Sequence, residues 1–319
     1  MTELISETPI PANPTHADLD KLIPRLAKNP TALSEIERRL QSLPTHHKLI
    51  LGDARKLAVI KDSSVHLIVT SPPYWTLKQY GKTSGQLGNI ADYDKFLNEL
   101  DHCWRECLRV LVAGGRLVIV VGDVLLSRRK HKRHQVFPLH ADIQSRCRRM
   151  GFDNLAPIFW YKISSASYEA HGNGGGFLGK PYEPNAVVKH DIEYVLSERK
   201  PGSYRSPDPN TRLLSIISAS QHSVWFRQVW EDIRGTSTPH HPAPFPEALA
   251  ERLIKMFSFA GDTVLDPFAG TGTTMVAAAH AGRNSIGVEI DPTYWTLAKN
   301  RLNKILPSIT SSRSLELIK

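Results

Sequence analysis

Apolar, β-branched runs alternate with amphipathic helical stretches through most of this chain, and no other feature constrains its fold as tightly. The segments Lys48 to Leu51, Ser64 to Val69, Leu117 to Val121, Ala156 to Tyr161, Glu193 to Leu196, Thr263 to Asp266 and Ser285 to Ile290 read as strands. Between them, Phe96, Leu100, Cys103, Trp104, Cys107, Leu108 and Leu111 form a helical stripe that Gly114-Gly115 is expected to end. Further helices are predicted around Ala141 to Met150, up to about Phe259, over Thr274 to Ala281 and from Pro292 onward. Strands joined through helices run parallel, so the expected architecture is a doubly wound α/β sheet. Leu117 to Val121 is apolar throughout and must be covered on both faces.

Ahead of this pattern, residues up to about Pro44 look helical and peripheral. Leu33, Ile36, Leu40 and Leu43 share one face, and Asn29-Pro30 supplies a start signal. Such a segment either packs on the domain or mediates self-association. No apolar run approaches the ~20 residues of a membrane span, and the polar opening Met1-Thr2-Glu3 is not a signal peptide. Cys103, Cys107 and Cys147 are too few for a disulfide framework, which points to a reducing cytoplasm. Cys103 and Cys107 lie one helical turn apart, but no other Cys or His pair stands at zinc-site spacing, so buried core thiols rather than metal ligands are expected. The net charge of +9 suits a polyanionic partner. Two basic stretches are candidates for meeting it. Ser127 to His134 is either a solvated loop or a phosphate clamp. Arg199 to Arg234 is irregular and aromatic (Tyr204, Arg205, Arg212, Trp225, Phe226, Arg227, Trp230), and follows a glycine-rich stretch that begins near Ser164.

The chemistry is concentrated at strand tips. Thr70-Ser71-Pro72-Pro73-Tyr74-Trp75 follows a buried strand, and two prolines stop the ladder and stiffen the exit. That exit fixes the Ser71 hydroxyl, the Pro72 carbonyl and the Tyr74 ring: two acceptors and a stacking surface, the set a flipped-out base with an exocyclic amino group requires. Near the far end, Asp266-Pro267-Phe268-Ala269-Gly270-Thr271-Gly272-Thr273-Thr274 joins a strand to a helix. Met275 stands where a dinucleotide fingerprint needs a third glycine, and no Gly-Lys-Ser/Thr follows, so neither a dinucleotide fold nor a P-loop fits. Glu289, at the next strand tip, can accept both ribose hydroxyls of a nucleoside, and Asp266 is placed to pair with an ammonium group. A ribose and an amino acid without phosphate describe S-adenosylmethionine. Leu51-Gly52-Asp53 puts another acid at a strand tip, and the glycine-containing loop Tyr80 to Ile90 could fold over a site.

With both constellations in view, the chain resembles the amino-group DNA methyltransferases, which modify cytosine N4 or adenine N6, and is most similar to their β arrangement. Ser71-Pro72-Pro73-Tyr74 matches the catalytic tetrapeptide, which here precedes the cofactor turn. Asp266, Phe268, Gly270, Thr271, Gly272 and Thr273 fall in the cofactor motif, and Glu289 matches the ribose acid. Pro242 and Phe245 belong to the segment that closes over the methionine moiety, and Asp53 to the acid at the adenine end. The resemblance implies a Rossmann-like methyltransferase fold: a mostly parallel, seven-stranded sheet with permuted motif order, so that the Leu49 strand lies beside the Ser285 strand.

It divides the chain into a helical extension (1–45), a catalytic half (46–165), a DNA-recognition region (166–234), a cofactor-binding half (235–307) and a tail (308–319). It implies transfer from S-adenosylmethionine to a base in double-stranded DNA, within a restriction-modification system, by a cytoplasmic, nucleoid-associated enzyme. A homodimer and a cognate endonuclease are possible partners. Serine at the first motif position is typical of cytosine-N4 enzymes, whereas members acting on adenine N6 mostly carry aspartate. C5 methylation is rejected because it needs a cysteine nucleophile and the chain has no Pro-Cys pair. Methylation of RNA or of a glutamine amide is the enzymatic alternative, and a non-enzymatic DNA-binding module the other.

Overall fold

The computed structural model describes residues 14–77, 81, 83–126, 131–133, 135–162, 191–235, 246–310 and 312–319. Two helices open this range. Helix α1 (His16–Leu26) starts at a Thr15/Asp18 capping box, and α2 (Pro30–Gln41) starts where Asn29 caps and Pro30 takes the first turn.

The sheet is built from β1 (His46–Leu51), β2 (Val65–Thr70), β3 (Leu111–Val121), β7 (Ile158–Tyr161), β8 (Ile192–Arg199), β10 (Thr263–Asp266) and β11 (Asn284–Glu289). These seven stand in the order β1-β11-β10-β2-β3-β8-β7, and β8 alone runs against the rest. Among the described residues, three further strands extend the expected seven to ten: β6 (Asp153–Asn154), β9 (Val229–Trp230) and β12 (Ser314–Ile318). A separate hairpin pairs β4 (Val124–Leu126) with β5 (Gln135–Phe137).

The permuted order holds. β1 pairs parallel with β11, matching Leu49 to Gly287 and Leu51 to Glu289, although well over two hundred residues separate them. Residues read from sequence as a tail instead form β12, which adds to the free edge of β1.

Period-two alternation divides the strand side chains between two cores. Ile68, Leu117, Ile119 and Val121 face α3 (Tyr93–Val110) and α4 (Leu139–Met150). Leu67, Val69, Val118 and Val120 face α7 (Glu247–Phe257) and α8 (Thr273–His280). Every residue from Leu117 to Val121 is fully buried, as an apolar strand covered on both faces must be. Helix α9 (Pro292–Ile309) completes the cover over Leu49 and Met275. All three cysteines are buried, and burial pushes their thiols up.

Gly114-Gly115 does not end α3. The helix stops at Val110 and the chain passes directly into β3; the glycines form a bulge where the β2–β3 register slips. Gly114 has φ +75°, and a Cβ there would lie 2.5 Å from the Ser203 carbonyl oxygen.

Strand polarity fixes which rim carries chemistry. Ser71, Gly122 and Glu289 follow or close the carboxyl ends of parallel strands, and Glu193 joins them because β8 runs the other way. Within the expected recognition region, the stretch from Arg199 to Ala219 lies at the opposite rim. Lys200 Nζ donates to the Leu111 carbonyl at 2.7 Å, and Arg205 binds Asp262 just before β10. Helix α5 (Pro209–Leu214) continues along that rim, and α6 (Ala219–Trp225) begins there. Leu213 packs with Leu19, Leu26, Ala32 and Ile36 of α1 and α2, and Ala219 N–H donates to the Ala27 carbonyl. The amino-terminal helices therefore pack on the domain, against a stretch the sequence suggested for recognition. The glycine-rich part of that region, and all but three residues of the Ser127 to His134 run, lie outside the described residues.

Candidate active site

β2 ends at Thr70, fully buried, whose Oγ1 donates to Asp266 Oδ1 at 2.7 Å and ties the tip of β2 to the tip of β10. From there Ser71 remains partly accessible while Pro72, Pro73 and Tyr74 are buried. The turn closes through Leu77 N–H to the Tyr74 carbonyl, at 3.0 Å. Trp75 sits at φ +45°, a left-handed conformation costing about 1–2 kcal/mol for a side chain of this kind. Its surroundings impose it: the indole N–H donates to the Ile90 carbonyl at 2.9 Å, and the ring packs on Tyr93 and Phe137. Strain held by packing beside a strand tip is a mark of a functional turn.

A cleft opens where these tips meet. Gly52 and Asp53 after β1, Ser71 to Pro73 after β2, Phe268 and Gly270 after β10, and Glu289 and Ile290 at β11 line it. Gln86 and Leu87 from the glycine-containing loop and Tyr294 from α9 complete the wall. Two carboxylates and no lysine or arginine appear among its described lining residues. Such a wall repels phosphate and accepts a cation.

Glu289 is held by two backbone donors, Gly270 N–H to Oε2 and Asp291 N–H to Oε1, both at 2.8 Å. Burial nevertheless dominates, raising its pKa to about 7, with the two N–H groups opposing and the Asp291 and Asp266 charges adding. Asp53 behaves differently. Burial pushes it up, but the hydrogen bonds and charge of Arg55 outweigh that and hold the carboxyl below its ordinary value. Arg55 grips both Asp53 oxygens, reaches the Gly85 carbonyl at 3.3 Å and pairs with Glu99. The loop is latched again by Thr83 Oγ1 donating to Asp291 Oδ2, at 2.7 Å. As expected, it folds over the cleft.

Of the residues chosen from sequence, Asp53, Ser71, Pro72, Pro73, Phe268, Gly270 and Glu289 meet in this cleft. The other choices stand elsewhere. Asp266 is buried behind the cleft lining, and its oxygens accept from Thr70, Thr274 and the Phe268 N–H. Burial pushes its pKa up against those three bonds. Thr271 and Thr273 lie behind the turn, where Arg301 reaches both. Gly272 starts α8 at φ +80°, and a Cβ there would press on Ala298 of α9 at 3.3 Å; its task is close helix packing. The Tyr74 ring is buried beneath the cleft, its hydroxyl donating to Glu193 at 3.0 Å. Pro242 and Phe245 lie outside the described residues. Sequence reasoning missed Arg55, Gln86, Ile290, Tyr294 and Glu193. Only Glu193 left a local trace, as an acid inside an otherwise apolar run.

Comparison with known proteins agrees with this geometry. The N6/N4 DNA methylase family model matches residues 65–300. The chain is 39% identical over 279 residues to the type II methyltransferase M.MjaI of Methanocaldococcus jannaschii, a match spanning 78% of this chain and 88% of that protein. A Thermus thermophilus protein described as a candidate DNA modification methylase, solved in complex with S-adenosyl-L-methionine, is 51% identical. It superposes with a TM-score of 0.71 over 86% of this chain and 98% of its own. The PvuII cytosine-N4-specific DNA methyltransferase shares the fold at 19% identity, with a TM-score of 0.58 over 86% of this chain and 97% of its own.

Proposed function

This chain belongs to the N6/N4 DNA methylase family, and we propose that it transfers the methyl group of S-adenosylmethionine to the N4 amino group of a flipped-out cytosine in duplex DNA. One observation carries the reading: Ser71 to Pro73 and the Gly270–Glu289 corner line the same cleft. The cofactor fits the residues present. Phe268, Leu87 and Ile290 offer apolar surface to an adenine. Glu289 has lone pairs beyond those occupied by Gly270 and Asp291 for ribose hydroxyls, and the described lining adds no lysine or arginine as a countercharge to phosphate. When bound, the cofactor supplies an electrophilic methyl on a cationic sulfur.

The protein's own task is to make a poor nucleophile competent. The lone pair of an aromatic amino group is delocalised into its ring. Ser71 Oγ and the Pro72 carbonyl accept its two N–H groups and favour a pyramidal nitrogen, with the lone pair turned toward the methyl. The prolines keep both acceptors in place. Serine at position 71 favours cytosine over adenine. The relatives' type II designation supports a place in a restriction-modification system. Digesting DNA modified by the purified protein to nucleosides and analysing it by mass spectrometry should reveal N4-methylcytosine. N6-methyladenine in its place would refute the cytosine assignment and leave the cleft assignment intact.

A further inference from the structure

Glu193 is out of place by composition: a carboxylate on β8, 6% exposed, where an apolar side chain would satisfy the core. Burying an acid is costly unless it is paired and hydrogen-bonded. Both conditions are met at the catalytic rim. Oε1 is ion-paired with Lys162 Nζ, and Oε2 accepts the Tyr74 hydroxyl at 3.0 Å. Gly122 makes room for the pair, since a Cβ there would stand 3.3 Å from Glu193 Cγ and 3.4 Å from Tyr74 Cε2.

The donor count gives this arrangement a direction. An ionised carboxylate only accepts, so the single Tyr74 proton goes to Glu193; the Val120 carbonyl, at 3.4 Å, is a longer and neutral alternative. The Tyr74 oxygen then presents a lone pair to Ser71, whose Oγ–H donates across 3.3 Å. Ser71 has one proton. With that proton turned toward Tyr74, the serine offers lone pairs to the cleft, the polarity an amino N–H needs.

We propose that Glu193 is a positioning residue for methyl transfer: by taking the Tyr74 proton it orients the Tyr74–Ser71 hydrogen bond and fixes Ser71 as an acceptor for the target amino group. This rests on the function proposed above. Lys162 supplies the countercharge that lets the acid stay at a buried rim.

The test is a double-mutant cycle between Glu193→Ala and Tyr74→Phe. kcat and KM are measured with tritiated S-adenosylmethionine on unmodified duplex DNA, and cofactor affinity by calorimetry. Glu193→Ala should lower kcat by about 10- to 100-fold while cofactor affinity stays within about twofold. Glu193→Gln, whose amide oxygen still accepts from Tyr74, should restore most of that loss and remain about 3- to 10-fold below wild type. In the Tyr74→Phe background neither substitution should slow the enzyme further. Losses that add independently, or wild-type kcat in Glu193→Ala, would overturn the proposal. Glu193→Gln keeps the side-chain shape, so its own cycle with Tyr74→Phe decides the matter should Glu193→Ala not fold. Failure of the functional reading looks different: wild-type protein that binds the cofactor yet transfers no methyl to DNA overturns that reading, and this proposal with it.

Discussion

Replacing Glu289 with glutamine should move stability and cofactor affinity in opposite directions at pH 8. In the wild type, burial raises the carboxyl from its ordinary value of 4.5 to about 7. The native state therefore holds its proton more tightly than the unfolded chain does. The corresponding stability is fully present below about pH 4.5 and is lost as pH rises through about 7. A difference of that size corresponds to about 3 kcal/mol above the window. Glutamine removes this cost. It also sets an amide N–H₂ against one of two backbone donors, Gly270 N–H and Asp291 N–H, now 2.8 Å from the carboxylate oxygens. One hydrogen bond lost and one donor left unsatisfied offset about 1–3 kcal/mol.

The net at pH 8 should run from neutral to about 2 kcal/mol more stable without cofactor. Binding should fall instead. Hydrogen bonds from ribose hydroxyls to a charged acceptor are worth about 1.5–3 kcal/mol each, so losing one weakens affinity by about 10- to 100-fold. Denaturant titrations of both proteins at pH 5.5 and 8, paired with calorimetry, measure both quantities. The wild type should bind more tightly as pH rises through about 7 and release a proton on binding, and the variant should do neither. Wild-type affinity in Glu289→Gln, or the same pH dependence in both proteins, would refute this account of the acid.

Ser71→Ala should reduce turnover by about 100-fold and leave the calorimetric affinity for S-adenosylmethionine nearly unchanged; unaltered turnover would reduce the tetrapeptide to a turn. Gly272→Ala forces a side chain into φ +80° against Ala298 and should cost about 1–2 kcal/mol. Differential scanning fluorimetry should register this as a midpoint lowered by about 2–4 °C per kcal/mol. Arg212→Glu changes a cation that pairs with Asp20 of α1 at the rim opposite the cleft, so DNA affinity and its salt dependence should hold. A log–log salt slope reduced by about one would place that rim on the DNA after all.

Position along the sheet separates what the sequence disclosed from what it could not. The element order, the prolines after β2, the glycine corner after β10 and the acid closing β11 were legible, because each depends on local periodicity and on residues that stop or bend a strand. The parallel pairing of β1 with β11 was legible only through the order of motifs. The burial of Asp266 was hidden, since its partners Thr70 and Thr274 come together only when β2 and β10 pair and the turn folds back. Arg199 to Arg234 looked like a recognition surface because cations and aromatics cluster there. Strand polarity carries its first part, Arg199 to Ala219, to the amino-terminal rim against α1 and α2, a placement that local composition does not disclose. Glu193 and Tyr74 lie more than a hundred residues apart, and nothing in either neighbourhood specifies the other. Periodicity fixes which face of an element is buried, but only the pairing of distant strands determines which polar groups meet at their ends.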